Sequence, residues 1–141
     1  YFEISGKVFY GSIPPEIKKV SGTLKELRVY NTYIEKIPEE IATLQNLTAP
    51  ALLMNNNFSG KVPLYFRELP YGAVLDDNYF EEMDWRYFTE DIGVIPYLRN
   101  NLLKGEIPNE LFGTERFDAN KEKILQQKKY SGWTNVKDAF N

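Results

Sequence analysis

Chemistry in this chain must be carried by carboxylates, lysines, tyrosines and hydroxyls, because its 141 residues include no Cys and no His. That removes a thiolate nucleophile, an imidazole base, a disulfide and the ordinary zinc or copper site together. The remaining acids gather at Asp76-Asp77-Asn78 and at Glu81-Glu82-x-Asp84. Calcium takes about six to eight oxygens from a curved loop; neither group has the Gly-containing pattern that shapes such a loop, and both read as solvated segments. Paired carboxylates can also cleave a glycosidic bond, but only across a defined gap and in opposed environments. Closeness in sequence supplies neither, so no catalytic residue and no metal ligand is assigned, and no cofactor is implied. Asn46-Leu47-Thr48 and Asn57-Phe58-Ser59 have the form of sugar acceptors in a eukaryotic secretory route, without indicating origin.

The composition narrows the class. Apolar residues make up 43% and charged residues 26%, as in a soluble globular domain. No run approaches the ~18 consecutive apolar residues of a membrane span. With 17 Lys+Arg against 20 Asp+Glu the net charge is -3, and no basic stretch is long enough to track a phosphate backbone, so nucleic acid is not an expected partner. The length suits one unit with a continuous core. Missing cysteine fits the cytosol and also a secreted domain with a sufficient core. The chain opens on Tyr1 and reads as an excerpt of a longer or processed protein.

What positions any binding residue is a repeat. Phe9-Tyr10-Gly11-Ser12-Ile13-Pro14 returns as Phe58-Ser59-Gly60-Lys61-Val62-Pro63 and as Leu103-Lys104-Gly105-Glu106-Ile107-Pro108, with a shortened copy at Ile34-Glu35-Lys36-Ile37-Pro38. The prolines at 14, 38, 63 and 108 are separated by 24, 25 and 45 residues, the last gap holding two repeats of which one has lost its proline. Upstream of each phrase, two apolar residues alternate with a third position: Phe2 and Ile4, Leu27 and Val29, Ala51 and Leu53, Ala73 and Leu75, Pro96 and Leu98. Three residues after the second of each pair stand Lys7, Thr32, Asn56, Asn78 and Asn101. A βαβ unit needs ~30 or more residues and a true helix, so the shorter period favours a repeat over an ordinary α/β domain with Ile-Pro loops.

Alternating apolar residues make a short strand with one face inward, and such strands stack into a parallel sheet. Inward Asn can hydrogen-bond the turning backbone of its neighbours. Thr32 can do part of this, whereas Lys7 cannot accept a bond, so the first repeat is expected to be a frayed edge or to need a missing neighbour. Gly permits the tight turn and Pro fixes φ. Behind the prolines, Ile17 and Val20, Ile41 and Leu44, and Phe66 and Leu69 should face the core from the convex side. The reading is thus an α/β repeat: a right-handed leucine-rich-repeat solenoid, with a short-stranded parallel sheet on its concave face, over residues 1–113. Residues 114–141, with Phe117, Ile124, Leu125, Trp133, Val136 and Phe140, form a C-terminal cap or a linker.

The phrases Asn101-x-Leu103-x-Gly105-x-Ile107-Pro108 and Asn56-x-Phe58-Ser59-Gly60-x-Val62-Pro63 resemble the plant-like class of leucine-rich repeats found in receptor-kinase ectodomains and polygalacturonase inhibitors. The paired-cysteine caps of plant ectodomains are absent, and aromatics replace many leucines. Asp84 to Thr89, Ile95 to Asn101 and Ile124 to Trp133 are similar to the plant-like repeat proteins on the surfaces of gut and oral Bacteroidetes, whose repeat block often ends in an Ile-x-Pro-Gln-Gln-like segment; Leu125 occupies the place of that proline. This resemblance implies an extracellular or cell-surface protein, anchored by lipid through an N-terminal segment.

Outward positions of the stacked strands would form two columns on the concave face: Glu3, Arg28, Leu52, Val74, Tyr97 and Ser5, Tyr30, Met54, Asp76, Arg99. An apolar and aromatic centre of Leu52, Met54, Val74, Tyr30 and Tyr97, rimmed by Arg28, Asp76 and Arg99, has the anatomy of a protein-binding patch. The expected function is therefore non-catalytic recognition of a protein partner. Two alternatives remain open: a carbohydrate stacked on Tyr30 and Tyr97 beside Asp76, and a structural spacer in a larger surface protein. A one-residue slip at Asn55-Asn56-Asn57 would exchange the inward and outward sets.

Overall fold

The structure, a computed structural model, describes residues 1–136. Short alternating segments become short parallel strands: β1 (Phe2–Ser5), β3 (Leu27–Tyr30), β5 (Ala51–Leu52) and β7 (Ala73–Val74) form one sheet in that order. Phe2 lies beside Leu27, Ile4 beside Val29 and Ala51 beside Ala73. Equivalent residues of successive repeats are therefore neighbours in space. Leu27, Val29, Ala51, Leu53, Ala73, Leu75 and Leu98 are all buried, while Leu52 and Met54 on either side of Leu53 are half-buried. No slip occurs at the Asn55-Asn56-Asn57 run.

The Gly-x-Ile-Pro phrase leads each repeat away from the sheet. Its glycines turn with φ of 88° at Gly11, 77° at Gly60 and 101° at Gly105, values at which a side chain is strained. Each phrase proline then precedes a 3-10 turn: Pro15–Val20, Glu39–Thr43, Leu64–Glu68 and Asn109–Leu111. These glycines lie within a second set of paired strands, β2 (Tyr10–Ser12) with β4 (Tyr33–Lys36), β6 (Ser59–Lys61) with β8 (Tyr79–Glu82), and β9 (Lys104–Gly105) with β10 (Gly132–Trp133). Where a repeat lost its proline, Asp84 stands in its place. Its Oδ1 accepts the Arg86 N–H at 3.1 Å, and the turn that follows is a short helix, α1 (Arg86–Thr89). The architecture is α/β, with short parallel strands alternating with short helical turns in a repeat-like arrangement.

Side-chain amides hold the repeats together. Asn78 Oδ1 accepts the N–H groups of Asn56 and Phe58 from the preceding repeat, and its Nδ2 donates to the carbonyls of Leu53 and Leu75. Asn56 and Asn101 repeat the arrangement one repeat to either side. These amides satisfy buried backbone groups that the two-residue strands cannot pair. The pattern runs past residue 113: Gln127 accepts the Leu103 N–H at 3.1 Å and donates to Leu98 and Ile124 carbonyls, both at 2.9 Å. Just before Thr32, Asn56, Asn78 and Asn101 the backbone turns left-handed, at Asn31, Asn55, Asp77 and Asn100, with φ between 54° and 61°. Asn and Asp tolerate that conformation best among residues with a side chain.

The two ends differ. At the C-terminal end, Trp133 is buried with its Nε1–H donated to the Ile124 carbonyl, and it lies 5.3 Å from Trp85 between ring centroids. Helix α2 (Glu115–Asn120) is capped by Thr114 and places Phe117 against Phe88. The Asn135 side chain spans both backbone groups of Ile107. Phe140 lies outside the described residues. At the N-terminal end, Phe2, Phe9 and Val20 are 42%, 43% and 42% exposed, although their equivalents one repeat on, Leu27, Ile34 and Leu44, are 2%, 3% and 0% exposed. Val20, expected inward, thus has no neighbour to cover it. Lys7 accepts no bond from a neighbour; its Nζ donates to the Thr32 carbonyl at 3.2 Å and lies over the Tyr33 ring.

Two tyrosines tie the helical turns to the preceding repeat, Tyr65 donating to the Ile37 carbonyl and Tyr87 to that of Pro63. Burial is the main reason that Tyr65 is pushed up to about 12, and it pushes Tyr87 higher still. Both folded-state values lie above the ordinary tyrosine value near 10. The folded state then keeps protons that the unfolded chain loses, so this stabilisation is full below about pH 10 and declines as pH rises through 12. Phenolate absorbance should show two of the ten tyrosines titrating only as the protein unfolds in alkali. Smooth titration of all ten with the fold intact would contradict the assignment.

Candidate binding face

The outward residues of the sheet come together as the strand register requires. Glu3 lies beside Arg28, Arg28 beside Leu52, Leu52 beside Val74, and Val74 beside Tyr97. The second column follows from the turns: Ser5 is beside Tyr30, and the carbonyls of Met54, Asp76 and Arg99 accept the N–H groups of Asn31, Asn55 and Asp77. The structure places all of Arg28, Tyr30, Leu52, Met54, Val74, Asp76, Tyr97 and Arg99 on this face.

The face is apolar in the middle and charged at its ends. Tyr30, Leu52, Met54 and Val74 are half-buried, whereas Tyr97 is 39% exposed and stands out as an aromatic contact. At one end Arg28 bridges Glu3 at 3.8 Å and Glu26 at 3.4 Å, with its guanidinium 5.3 Å from the centre of the Tyr1 ring. At the other, Asp76 accepts the Arg99 N–H at 2.9 Å and pairs with Arg99 Nε at 3.4 Å. Burial raises Asp76 above the ordinary carboxylate range, against the opposing pull of Arg99. The Asp76 carboxylate is thus fixed by its neighbour.

Tyr97 carries two cations on its ring: Arg99 at 5.6 Å and Lys123 at 4.8 Å from the centroid. Lys123 also donates to the Ile95 carbonyl at 3.1 Å, and burial lowers its affinity for the proton. Lys123 continues the first column, its carbonyl accepting the Leu98 N–H as that of Tyr97 accepts the Leu75 N–H. Sequence reasoning missed Lys123. The available signal was Ile124-x-x-Gln127 matching Leu98-x-x-Asn101, hidden because Gln stands for Asn.

The acidic groups do not converge. Glu81 and Glu82 are exposed, Glu81 lying 3.8 Å from Lys104, while Asp84 is buried against Arg86, whose hydrogen bonds hold its carboxyl below the usual range. What the face can do chemically is present a rigid apolar strip between fixed charges. Among the described residues no helix is long and apolar enough to cross a membrane. Comparison with known proteins finds no matching family and no matching curated protein.

Proposed function

We propose that this chain is a short right-handed leucine-rich-repeat solenoid of the plant-like subtype, and that the outward face of its main sheet, the concave face, binds a protein without catalysis. Residues 114–136 act as the cap, their amide and indole bonds closing the last coil. The observation that carries the binding role is the in-register row Arg28, Leu52, Val74 and Tyr97, which sets an apolar strip on a rigid backbone between two charged ends. Preorganised anchors of this kind bind with little loss of conformational freedom. A protein suits the strip better than a sugar, since two cations already occupy the Tyr97 ring where a sugar would stack. The cell-surface or extracellular setting rests on the resemblance of the tail to surface repeat proteins.

Replacing Tyr97→Ala together with Met54→Glu should weaken a captured partner by more than tenfold, or ~1.4 kcal/mol. Both side chains lie outward of the core, so the melting temperature should change little. Titration calorimetry of the two proteins side by side makes the test. An unaltered affinity would remove the site from this face.

A further inference from the structure

We infer that the partner of this face is an acidic segment, whose Asp or Glu side chain docks on Lys123 while a neighbouring apolar residue packs on the strip. The inference rests on the reading of the face as a protein-binding surface and adds the partner's charge to it.

The two ends of the strip are not balanced alike. At the N-terminal end Arg28 has two carboxylates beside it, those of Glu3 and Glu26. At the other end Arg99 has Asp76 at 3.4 Å. Arg116 has Asp91 at 3.2 Å, a side chain 98% exposed and therefore screened by water. Among the described residues no carboxylate pairs with Lys123, although Lys121 nearby pairs with Asp118 at 3.7 Å.

This unpaired ammonium is held in place. Ile124 is buried, so the alternation of the strand turns Lys123 outward. Its Nζ donates to the Ile95 carbonyl at 3.1 Å and sits 4.8 Å from the centre of the Tyr97 ring. Lys123 and Arg116 are both half-buried, and burial, followed by the Arg116 charge, lowers the affinity of Lys123 for its proton. Two such cations repel, and a carboxylate beside them would relieve the repulsion. A side chain already ordered in this way also loses little freedom when a partner arrives.

The donors left over decide which anion fits. An ammonium has three N–H groups; one is given to Ile95, and two remain. The Arg116 guanidinium is committed to the carbonyls of Tyr87, Ile92 and Gly93 and to Asp91, and Arg99 to Asp76. A phosphate carries up to two charges on three oxygens and calls for a free guanidinium fork, which this end does not offer. One ammonium with two donors matches one carboxylate. Lys123 stands two strands beyond Val74, about 10 Å at ~4.8 Å per strand, a distance that an extended chain covers in about three residues. The acid should therefore lie about three residues from the apolar side chain that packs on Val74.

The test selects phage-displayed random dodecapeptides on the immobilised chain and on its Lys123→Gln and Lys123→Glu variants, with circular dichroism confirming each fold. Gln keeps a donor for the Ile95 carbonyl and removes only the charge. Peptides chosen by the native chain should carry Asp or Glu near an aliphatic or aromatic residue, and Lys123→Glu should choose Lys or Arg there instead. The most enriched peptide, synthesised, should bind Lys123→Gln about tenfold more weakly. Its affinity for the native chain should also fall more steeply with salt than its affinity for that variant. Lys121→Gln, whose lysine is already paired, should bind as the native chain does. Peptides lost by the Tyr97→Ala, Met54→Glu variant but without acidic preference, or bound equally by Lys123→Gln, would overturn the Lys123 subsite and leave the face standing. Peptides that the Tyr97→Ala, Met54→Glu variant retains, or none retained by the folded native chain, would overturn both.

Discussion

Asn78→Ala should lower stability by about 3–5 kcal/mol and the melting temperature by on the order of 10 °C or more. The side chain is fully buried and joins its own repeat to the preceding one. Its Oδ1 accepts Asn56 and Phe58 at 3.1 and 3.2 Å, and its Nδ2 donates to Leu53 and Leu75 at 3.0 and 3.1 Å. Truncation leaves two backbone N–H groups inside the protein without an acceptor, which is more damaging than losing an exposed pair of bonds. Asn46→Ala is the control: Asn46 is exposed and donates one bond to the Ser21 carbonyl, so its loss should cost less than about 1 kcal/mol. Paired thermal and urea melts measure both. Equal effects would mean that the amide stack is not what holds successive repeats together.

Gly93→Ala should be nearly as severe, about 3 kcal/mol or more, though no side-chain contact is lost. Gly93 has φ of 73°, and a Cβ there would lie 2.2 Å from the Arg67 carbonyl oxygen and 2.9 Å from its carbon. Left-handed backbone alone costs an alanine roughly 1–2 kcal/mol. Relieving a clash against fixed backbone adds a strain of about 1–3 kcal/mol. The segment that would move is tied on both sides: Arg67 pairs with Glu90 at 2.7 Å, and Arg116 donates to the carbonyls of Tyr87 and Gly93. The same melts, with proteolysis of the 90–96 segment as a local probe, check the outcome. A fully stable Gly93→Ala would show that this backbone contact is looser than described.

These two sites mark what a single sequence discloses. Asn78 was legible because the amide recurs at a fixed distance from an alternating apolar pair, and a period of two fixes which side each residue faces. The same rule sets Arg28, Leu52, Val74 and Tyr97 in one row from the sequence alone. Gly93 was not legible, since its requirement comes from Arg67 in the previous repeat. Gln127 was obscured by chemistry that is equivalent but spelled differently: a longer amide reaches the same Leu98 carbonyl and Leu103 N–H. The cations on Tyr97 and the cluster of Trp85, Phe88, Phe117 and Trp133 depend on how the tail folds back, which no local period encodes. The expectation that Val20 faces the core met a physical limit of another kind, because an inward direction buries a side chain only when a neighbour is present.

The binding proposal has a mechanical logic that follows from the same features. Buried amides fix the spacing of repeats, so side chains on the sheet's outer face are held without a conformational change of their own. The Asp76–Arg99 pair and the Arg28 bridges keep charges at the ends of the strip rather than over it. A partner would therefore supply an apolar segment for Leu52, Met54 and Val74, and its charges would meet the rim.

The most direct measurement is capture by the immobilised chain, attached through its C-terminus, from extracellular proteins and from a panel of glycans, with the Tyr97→Ala, Met54→Glu variant alongside. The account predicts a protein species retained by the native chain and lost by the variant, with both proteins equally folded. Retention of a glycan alone, equal retention by both chains, or nothing retained by a well-folded native chain would contradict it.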